Sequence, residues 1–261
     1  MTNPHLEHLE LLAQVDELVD QLAKWSNDSD LPWTPVRQAR RLVDRLLERV
    51  ESLRVRLEAP LVVAVFGGTG TGKSSLVNAL VGEECSPSGW KRPTTRCPVV
   101  VAGPDVDLDV LGLAPDECEI VRREAAILRD LVLVDCPDPD TSETDDDQTN
   151  LARLERVLPH CDVLLVTGTQ QKYRSARISE LLARAATGCR LLFVQTRADV
   201  DADIRDDWQR ALADDFDCPE VFLVDSLRAL ALQQEGRRPG GDFGRLEHML
   251  TSRLAASERI Q

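Results

Sequence analysis

The N-terminal part of the chain carries a helical pattern of apolar residues. Residues 1–58 form two amphipathic stretches around the turn-rich segment SNDSDLPWTP. In the second stretch, apolar residues recur at every seventh position. These are Val36, Val43, Val50 and Leu57. Because this spacing places them on one face of a helix, it predicts a helix that packs against other helices. That helix either covers the main domain or offers a surface to a partner, including a second copy of the chain.

From residue 61 onward the pattern changes to short continuous apolar runs. These runs occupy residues 61–66, 98–102, 131–134, 163–166, 191–195 and 221–224. Continuous runs of this length indicate strands that are buried on both faces, as in a mainly parallel sheet covered by helices. The expected helices lie at 73–82, 150–158, 176–187, 203–215 and 226–235. The pattern therefore predicts an α/β fold with helices on both sides of the sheet.

The two patterns divide the chain into three parts. A helical region, 1–58, precedes an α/β domain, 59–236. After the break GRRPGG, a last amphipathic helix is expected within 242–261. Its apolar positions are Phe243, Leu246, Leu250 and Leu254. We expect this C-terminal helix to pack with the N-terminal helices.

Composition and charge exclude several classes of function. The net charge of −14 disfavours direct binding to nucleic acid and electrostatic binding to membranes. No stretch reaches the about 18–20 apolar residues of a membrane span, so membrane contact is expected only if the chain is part of a longer protein. The seven cysteines form no CxxC pair. They favour free thiols in a reducing compartment over a zinc site, and hence a cytoplasmic location.

The segment FGGTGTGKSS joins the first predicted strand of the α/β domain to its first predicted helix. Glycines let such a loop wrap phosphates with its N–H groups, and the helix N-terminus adds partial positive charge. Lys73 then neutralises the outer phosphates, and the Ser74 hydroxyl coordinates Mg²⁺. The segment therefore predicts a nucleoside triphosphate site. Its expected binding residues are Gly67, Gly68, Thr69, Gly70, Thr71, Gly72, Lys73, Ser74 and Ser75.

The residues that follow this loop resemble the GTPase domain of the dynamin superfamily and, more broadly, Era-like GTPases. The shared elements are Ser74-Ser75, Val81-Gly82, Pro87–Gly89 and Thr95-Arg96-Cys97-Pro98. The resemblance covers about residues 59–230 and implies a three-layer P-loop GTPase fold that binds GTP or GDP with Mg²⁺. It makes Thr95 the switch threonine that coordinates Mg²⁺, with Thr94 as the alternative. Dimerisation through the GTPase face or through the helices is a further expectation.

The base is expected to be guanine. The fifth apolar run is followed by Thr196-Arg197-Ala198-Asp199, which resembles the T-K-x-D variant of the guanine motif. The Asp199 carboxylate can accept hydrogen bonds from N1–H and the exocyclic amine of guanine, whereas adenine offers no such donor pair. The segment VDSLRA resembles the last guanine loop and places Ser226 and Leu227 beside the base. An ATP-using P-loop enzyme is the less favoured alternative.

The segment VDCPDPD follows the third apolar run and supplies two carboxylates to the predicted metal site. By the resemblance, Asp135 holds Mg²⁺ through water. The family has glycine three residues later, where this chain has Asp138 between Pro137 and Pro139. Because prolines restrict both themselves and the residue before them, this switch should be stiff. We expect Asp138 to join Asp135 around the Mg²⁺ waters.

The group that positions the attacking water has more than one candidate. Dynamin-like enzymes carry a polar catalytic residue where this chain has Gly70. Arg96 is a candidate for neutralising transition-state charge. The expected catalytic set is Lys73, Thr95, Thr69 and Gln148. The sequence thus predicts a slow, Mg²⁺-dependent GTPase switch. The alternative is a nucleotide-binding interaction module with negligible hydrolysis, which Gly70 and Asp138 favour.

Overall fold

The fold is given by a computed structural model that describes residues 4–28, 34–87, 97–113, 118–138, 155–174, 189–213, 216 and 219–254. The chain divides into two compact units. One unit, Met1–Ala59 with Ala256–Gln261, contains the N-terminal helices, and the other, Pro60–Ala255, contains the sheet. None of the described helices is both long enough and apolar enough to cross a lipid bilayer.

The N-terminal unit contains two long helices, α1 (Pro4–Asp28) and α2 (Thr34–Glu58). They confirm the helical pair predicted around the turn-rich segment. Ser26, near the end of α1, is buried and donates a 2.6 Å hydrogen bond to Oδ1 of Asp44 on α2. A buried hydroxyl with a carboxylate partner fixes the register between the two helices at this point.

The seven-residue spacing marks the more buried face of α2. Val36, Val43 and Val50 are half-buried. Leu42, the neighbour of Val43, is 63% exposed although it is equally apolar. The position of an apolar residue on the helix, rather than its hydrophobicity, therefore decides whether it is covered.

The α/β unit is built on a seven-stranded sheet. Its strands are β1 (Leu61–Gly67), β2 (Val99–Ala102), β3 (Glu119–Arg122), β4 (Leu131–Asp135), β5 (Val163–Gly168), β6 (Arg190–Gln195) and β7 (Val221–Leu223). Their order across the sheet is β3-β2-β4-β1-β5-β6-β7, and every neighbouring pair is parallel except β2 with β4. The mainly parallel α/β sheet predicted from the apolar runs is thus confirmed.

Both faces of the sheet are covered, which explains why its strands are continuously apolar. On β1, Val63 and Val65 belong to the core on one side, together with Leu76 of the following helix. Val62 and Ala64 belong to the core on the other side. All four of these strand residues are at most 1% exposed. Each buried apolar side chain contributes in proportion to the area that it removes from water, about 25 cal/mol per Å².

The described helices of this unit are α3 (Lys73–Val81), α4 (Arg205–Leu212), α5 (Ser226–Gln234) and α6 (Gly241–His248). A 3₁₀ turn spans Leu158–His160, and a π-helical turn, Met249–Leu254, continues α6. Helices α3, α4 and α5 agree with three predicted helices to within a few residues. The predicted helix at 176–187 lies outside the described residues, and the one at 150–158 is described only from residue 155.

The C-terminal helix α6 contributes to the core of the α/β unit. The apolar core that contains Leu76 also contains Phe243 and Leu246 of α6 and Leu250 of the π-helical turn, all of them at most 4% exposed. The amphipathic pattern predicted for this segment therefore corresponds to a real buried face. The predicted packing of this helix with the N-terminal helices stays a prediction.

Replacing Val43 with Asp is expected to lower the free energy of unfolding of the helical unit by at least about 1 kcal/mol, because a half-buried apolar side chain becomes a charge. The matched control is Leu42→Asp, which changes the next residue on the exposed face and should cost less than about 0.5 kcal/mol. Thermal unfolding followed by circular dichroism measures both. Equal losses in the two variants would show that α2 has no preferred buried face.

Candidate nucleotide-binding site

The loop between β1 and α3 has the shape that a phosphate site needs. Strand β1 ends at Gly67 and α3 begins at Lys73. Gly70 and Gly72 have φ values of 74° and 81°, a left-handed conformation that glycine adopts without strain. The loop therefore turns tightly onto the N-terminus of α3, where unpaired N–H groups and the helix dipole favour an anion.

Threonine side chains hold this loop in place. Thr71 Oγ1 donates to the Gly68 carbonyl at 2.8 Å, and Thr196 Oγ1 donates to the Thr71 carbonyl at 2.7 Å. Gly67 lies so close to β5 that a Cβ there would stand 2.6 Å from the carbonyl oxygen of Thr167. The loop is thus packed against the ends of β5 and β6, and Gly67 is required by this close approach.

Lys73 is the buried cation of the loop. Its side chain is 6% exposed, and its Nζ donates to the Gly68 carbonyl at 3.2 Å. The same ammonium forms an ion pair with the carboxylate of Asp138, which is also buried. We expected Asp138 to face the metal waters, whereas this contact directs its carboxylate to a cation of the phosphate loop. The part of Asp138 in holding Mg²⁺ stays a prediction.

Asp135, the last residue of β4, is fully buried. Its Oδ2 accepts hydrogen bonds from the hydroxyl groups of Ser74, at 2.6 Å, and Ser86. Burial raises the pKa of Asp135, and the two serine hydrogen bonds and the charge of Lys73 oppose that rise. Its Oδ1 has no hydrogen-bond partner among the described residues. Asp135 is therefore a buried acceptor with one oxygen left for a further ligand.

The Ser74–Asp135 pair fits the predicted Mg²⁺. This ion prefers oxygen ligands and keeps several of its waters. Ser74 gives its hydroxyl hydrogen to Asp135, so its oxygen lone pairs stay available to a metal. Asp135 Oδ1, which has no partner among the described residues, would accept a hydrogen bond from a metal-bound water. Ser74 would then be a direct ligand and Asp135 a ligand through water. Thr95, the third predicted ligand, lies outside the described residues.

Asn78 and Ser86 take part in this site and were not predicted. Asn78, buried on α3, accepts hydrogen bonds at Oδ1 from the N–H groups of Cys85, at 3.0 Å, and Ser86, at 2.8 Å. Its Nδ2 donates to the Ser86 carbonyl at 2.9 Å. This clamp fixes the chain after α3 and brings the Ser86 hydroxyl to Asp135. The one available signal was an asparagine within the apolar helix LVNALV.

The predicted guanine motif follows β6. Thr196 is buried against the phosphate loop, whereas the side chains of Arg197 and Asp199 are exposed. Arg197 has φ 61°, an uncommon conformation for a residue other than glycine. The Ala198 N–H donates to the Val224 carbonyl at 3.3 Å, which joins this motif to the end of β7. The motif therefore connects the phosphate loop with the loop that leads into α5.

The second predicted base loop begins α5. Ser226 is buried, and its hydroxyl has no hydrogen-bond partner among the described residues. Leu227, the next residue, is 66% exposed. Asp225 caps the helix by accepting a 2.9 Å hydrogen bond from the Arg228 N–H. An exposed apolar side chain beside an unpaired hydroxyl suits the face and edge of a planar base.

The remaining predicted residues are placed less specifically. Thr69 and Ser75 are partly exposed, and Gly70 is exposed. Gln148 lies outside the described residues. Of the two predicted water-positioning candidates, Thr69 and Gln148, the described part of the chain therefore includes only Thr69, which is partly exposed in the phosphate loop.

Comparison with known proteins gives matches in sequence and in fold. Residues 63–109 match the Dynamin family, and this match includes the phosphate loop. A structure described as an oligomerised bacterial dynamin pair for long-range sensing and tethering of membranes is similar with a TM-score of 0.55 and 15% identity. The match covers 95% of the present chain and 46% of the bacterial dynamin chain, so the present chain spans about half the length of that relative. Among curated proteins, no sequence matches significantly.

Two further solved structures are similar over smaller shares of the present chain. One is Era in complex with MgGDPNP and a 16S ribosomal RNA segment, with a TM-score of 0.48 and 18% identity over 70% of the present chain and 58% of the Era chain. The other is the FeoB G domain of T. maritima, with a TM-score of 0.42 and 16% identity over 77% of the present chain and 99% of the FeoB chain. The bacterial dynamin match and the sheet order confirm the predicted fold class, because the α/β unit has the mainly parallel, helix-covered sheet of a P-loop GTPase fold.

Proposed function

We propose that the chain is a Mg²⁺-dependent GTP-binding protein that hydrolyses GTP slowly and acts as a molecular switch. The observation that carries this proposal is the loop between β1 and α3, where buried Lys73 precedes the Ser74–Asp135 pair. Lys73 supplies a cation to the outer phosphates. Ser74 and Asp135 supply oxygens to Mg²⁺, which when bound neutralises phosphate charge. The Dynamin family match over the same loop supports this assignment.

Guanine selectivity is proposed from the loops after β6 and β7. The exposed Asp199 lies in a segment that is hydrogen-bonded to the end of β7, one residue before the Asp225 cap of α5. A carboxylate accepts hydrogen bonds and donates none, so it pairs with the N1–H and amine of guanine and has no donor pair to meet on adenine. Leu227 offers apolar surface to the same base.

Asp199→Asn should lower the affinity for GTP by about tenfold and raise the affinity for xanthosine triphosphate, which carries an acceptor in place of the amine. Competition of GTP, ATP and xanthosine triphosphate against a fluorescent guanine nucleotide measures this change. The control is Asp206→Asn, which removes an exposed carboxylate from α4 with the same change in net charge. Equal affinity of the unmodified protein for ATP and GTP would contradict guanine selectivity.

Slow turnover is proposed from Asp138. Its carboxylate already pairs with Lys73, so a bound triphosphate must share the ammonium or displace the carboxylate. Pro137 fixes its own φ angle, and Asp138 itself precedes Pro139 in the sequence, which disfavours the helical conformation. Gly70 adds no side chain that could orient a water molecule. The Lys73–Asp138 ion pair and the lack of a side chain at Gly70 also favour a second candidate function, a nucleotide-binding module with negligible hydrolysis.

Asp138→Asn should raise the affinity for Mg²⁺–GTP by about tenfold, because it removes the competing charge and keeps the shape of the side chain. Asp138→Gly should in addition raise the rate of hydrolysis, because it also frees the backbone. Calorimetry and single-turnover phosphate release measure the two effects, with Asp105→Asn, an exposed carboxylate after β2, as the charge control.

The outcomes separate the two candidate functions. No change in affinity for Asp138→Asn would contradict the competition between carboxylate and phosphate. If the unmodified protein shows no turnover while Asp138→Gly hydrolyses GTP, Asp138 blocks hydrolysis and the binding-module candidate is correct. Measurable turnover in the unmodified protein supports the slow switch.

A further inference from the structure

A second lysine reaches the phosphate loop from a distant part of the chain. Lys172 lies in the turn after β5, and its Nζ donates a hydrogen bond to the backbone carbonyl of Thr69, 103 residues earlier. The side chain is partly buried. An ammonium group has three N–H donors. Within the described part of the chain, the Thr69 carbonyl is its one hydrogen-bond acceptor, which leaves donors for a further anion.

The turn that presents Lys172 is tied to the base-recognition side of the site. The N–H groups of Lys172 and Tyr173 both donate to the Thr169 carbonyl, at 3.0 and 3.1 Å. Gln170 accepts a 3.1 Å hydrogen bond from the Ala202 N–H, and its own N–H donates to the Asp201 carboxylate at 3.1 Å. The turn is therefore fixed to the loop after β6 by two reciprocal hydrogen bonds.

The other side of the turn packs on α4. The ring of Tyr173 meets that of Trp208 edge to face with centroids 6.1 Å apart, and its hydroxyl donates to Asp207. Trp208 itself lies against the end of β5, where a Cβ at Gly168 would stand 2.5 Å from the indole ring. Because both sides of the turn are anchored, the backbone position of Lys172 is set before any ligand binds.

Charge balance gives this lysine a role. The pairing of Lys73 with Asp138 offsets much of the positive charge in the loop, and Asp135 adds a further carboxylate. A nucleoside triphosphate brings several negative charges, of which a divalent metal neutralises only part. Thr69 belongs to the loop whose N–H groups are expected to face the phosphates, so an ammonium bonded to the Thr69 carbonyl stands next to the proposed phosphate site.

We infer that Lys172 is a second cation of the phosphate site and binds the phosphate chain of the nucleotide. This inference rests on the proposed binding of GTP. Lys172 belongs to the same chain as the phosphate loop, and the turn that carries it is already formed. Its ammonium therefore stabilises phosphate charge without an arginine from a partner protein. It acts at the part of the loop where Gly70 has no side chain to contribute.

The test compares Lys172→Met with Arg174→Met. Both variants remove one positive charge from the same turn, but Arg174 is exposed and pairs with Asp207, away from the loop. Affinities for GTP, GDP and GMP in the presence of Mg²⁺ are measured by calorimetry. Lys172→Met should weaken GTP binding by about tenfold, GDP binding less and GMP binding least, because the lost contact is to phosphate. Lys172→Arg should recover most of the GTP affinity, and Arg174→Met should change it less than about twofold.

Each outcome supports or overturns the inference. An unchanged GTP affinity in Lys172→Met, or an equal loss for GTP, GDP and GMP, would overturn it, since an equal loss reports damage to the turn rather than a missing phosphate contact. The same loss in Arg174→Met would assign the effect to net charge and overturn it as well. If the unmodified protein binds no GTP at all, the proposed function fails, which is distinguishable from these results.

Discussion

The nucleotide site is organised around one buried ammonium group, that of Lys73. A cation that is 6% exposed needs anionic or polar partners, and here it has the Gly68 carbonyl and the Asp138 carboxylate. Removing one member of such a pair leaves an uncompensated buried charge, which typically costs about 3–5 kcal/mol. Any phosphate that binds the loop must therefore share the Lys73 ammonium with the Asp138 carboxylate or displace that carboxylate. This constraint connects affinity, metal binding and turnover in the proposed function.

The parallel sheet explains how residues so far apart in sequence reach this ammonium. In a parallel sheet, the carboxyl ends of neighbouring strands lie along one edge, where open α/β folds bind ligands. The phosphate loop follows β1, Asp135 ends β4 and the Lys172 turn follows β5. Thr196 follows β6 and bonds to the loop carbonyl of Thr71. Because these strands are buried on both faces, their carboxyl ends hold defined positions, and the loops that follow them meet in a defined arrangement.

Much of the fold followed from the apolar runs, because strands buried on both sides leave a signal in sequence. Strand β3 has no such apolar signal in the sequence, because it lies at the edge of the sheet and both Glu119 and Arg122 are exposed. The phosphate loop was recognisable because its glycines and lysine are consecutive. The Asn78 clamp and the Lys172 contact were not, since each depends on distances that only the folded chain defines. Lys73 and Asp138 are 65 positions apart, and the sequence placed both at the nucleotide site but assigned Asp138 to the Mg²⁺ waters rather than to the Lys73 ammonium.

The most direct test is calorimetric binding of Mg²⁺–GTP to Lys73→Ala and to the double variant Lys73→Ala/Asp138→Asn. The single variant should lose stability, because Asp138 is then buried without its cation, and the double variant should recover it. Both should bind GTP at least about a hundredfold more weakly than the unmodified protein, because neither retains the loop ammonium. GTP affinity that is undiminished in a folded double variant would contradict the claim that Lys73 holds the phosphates.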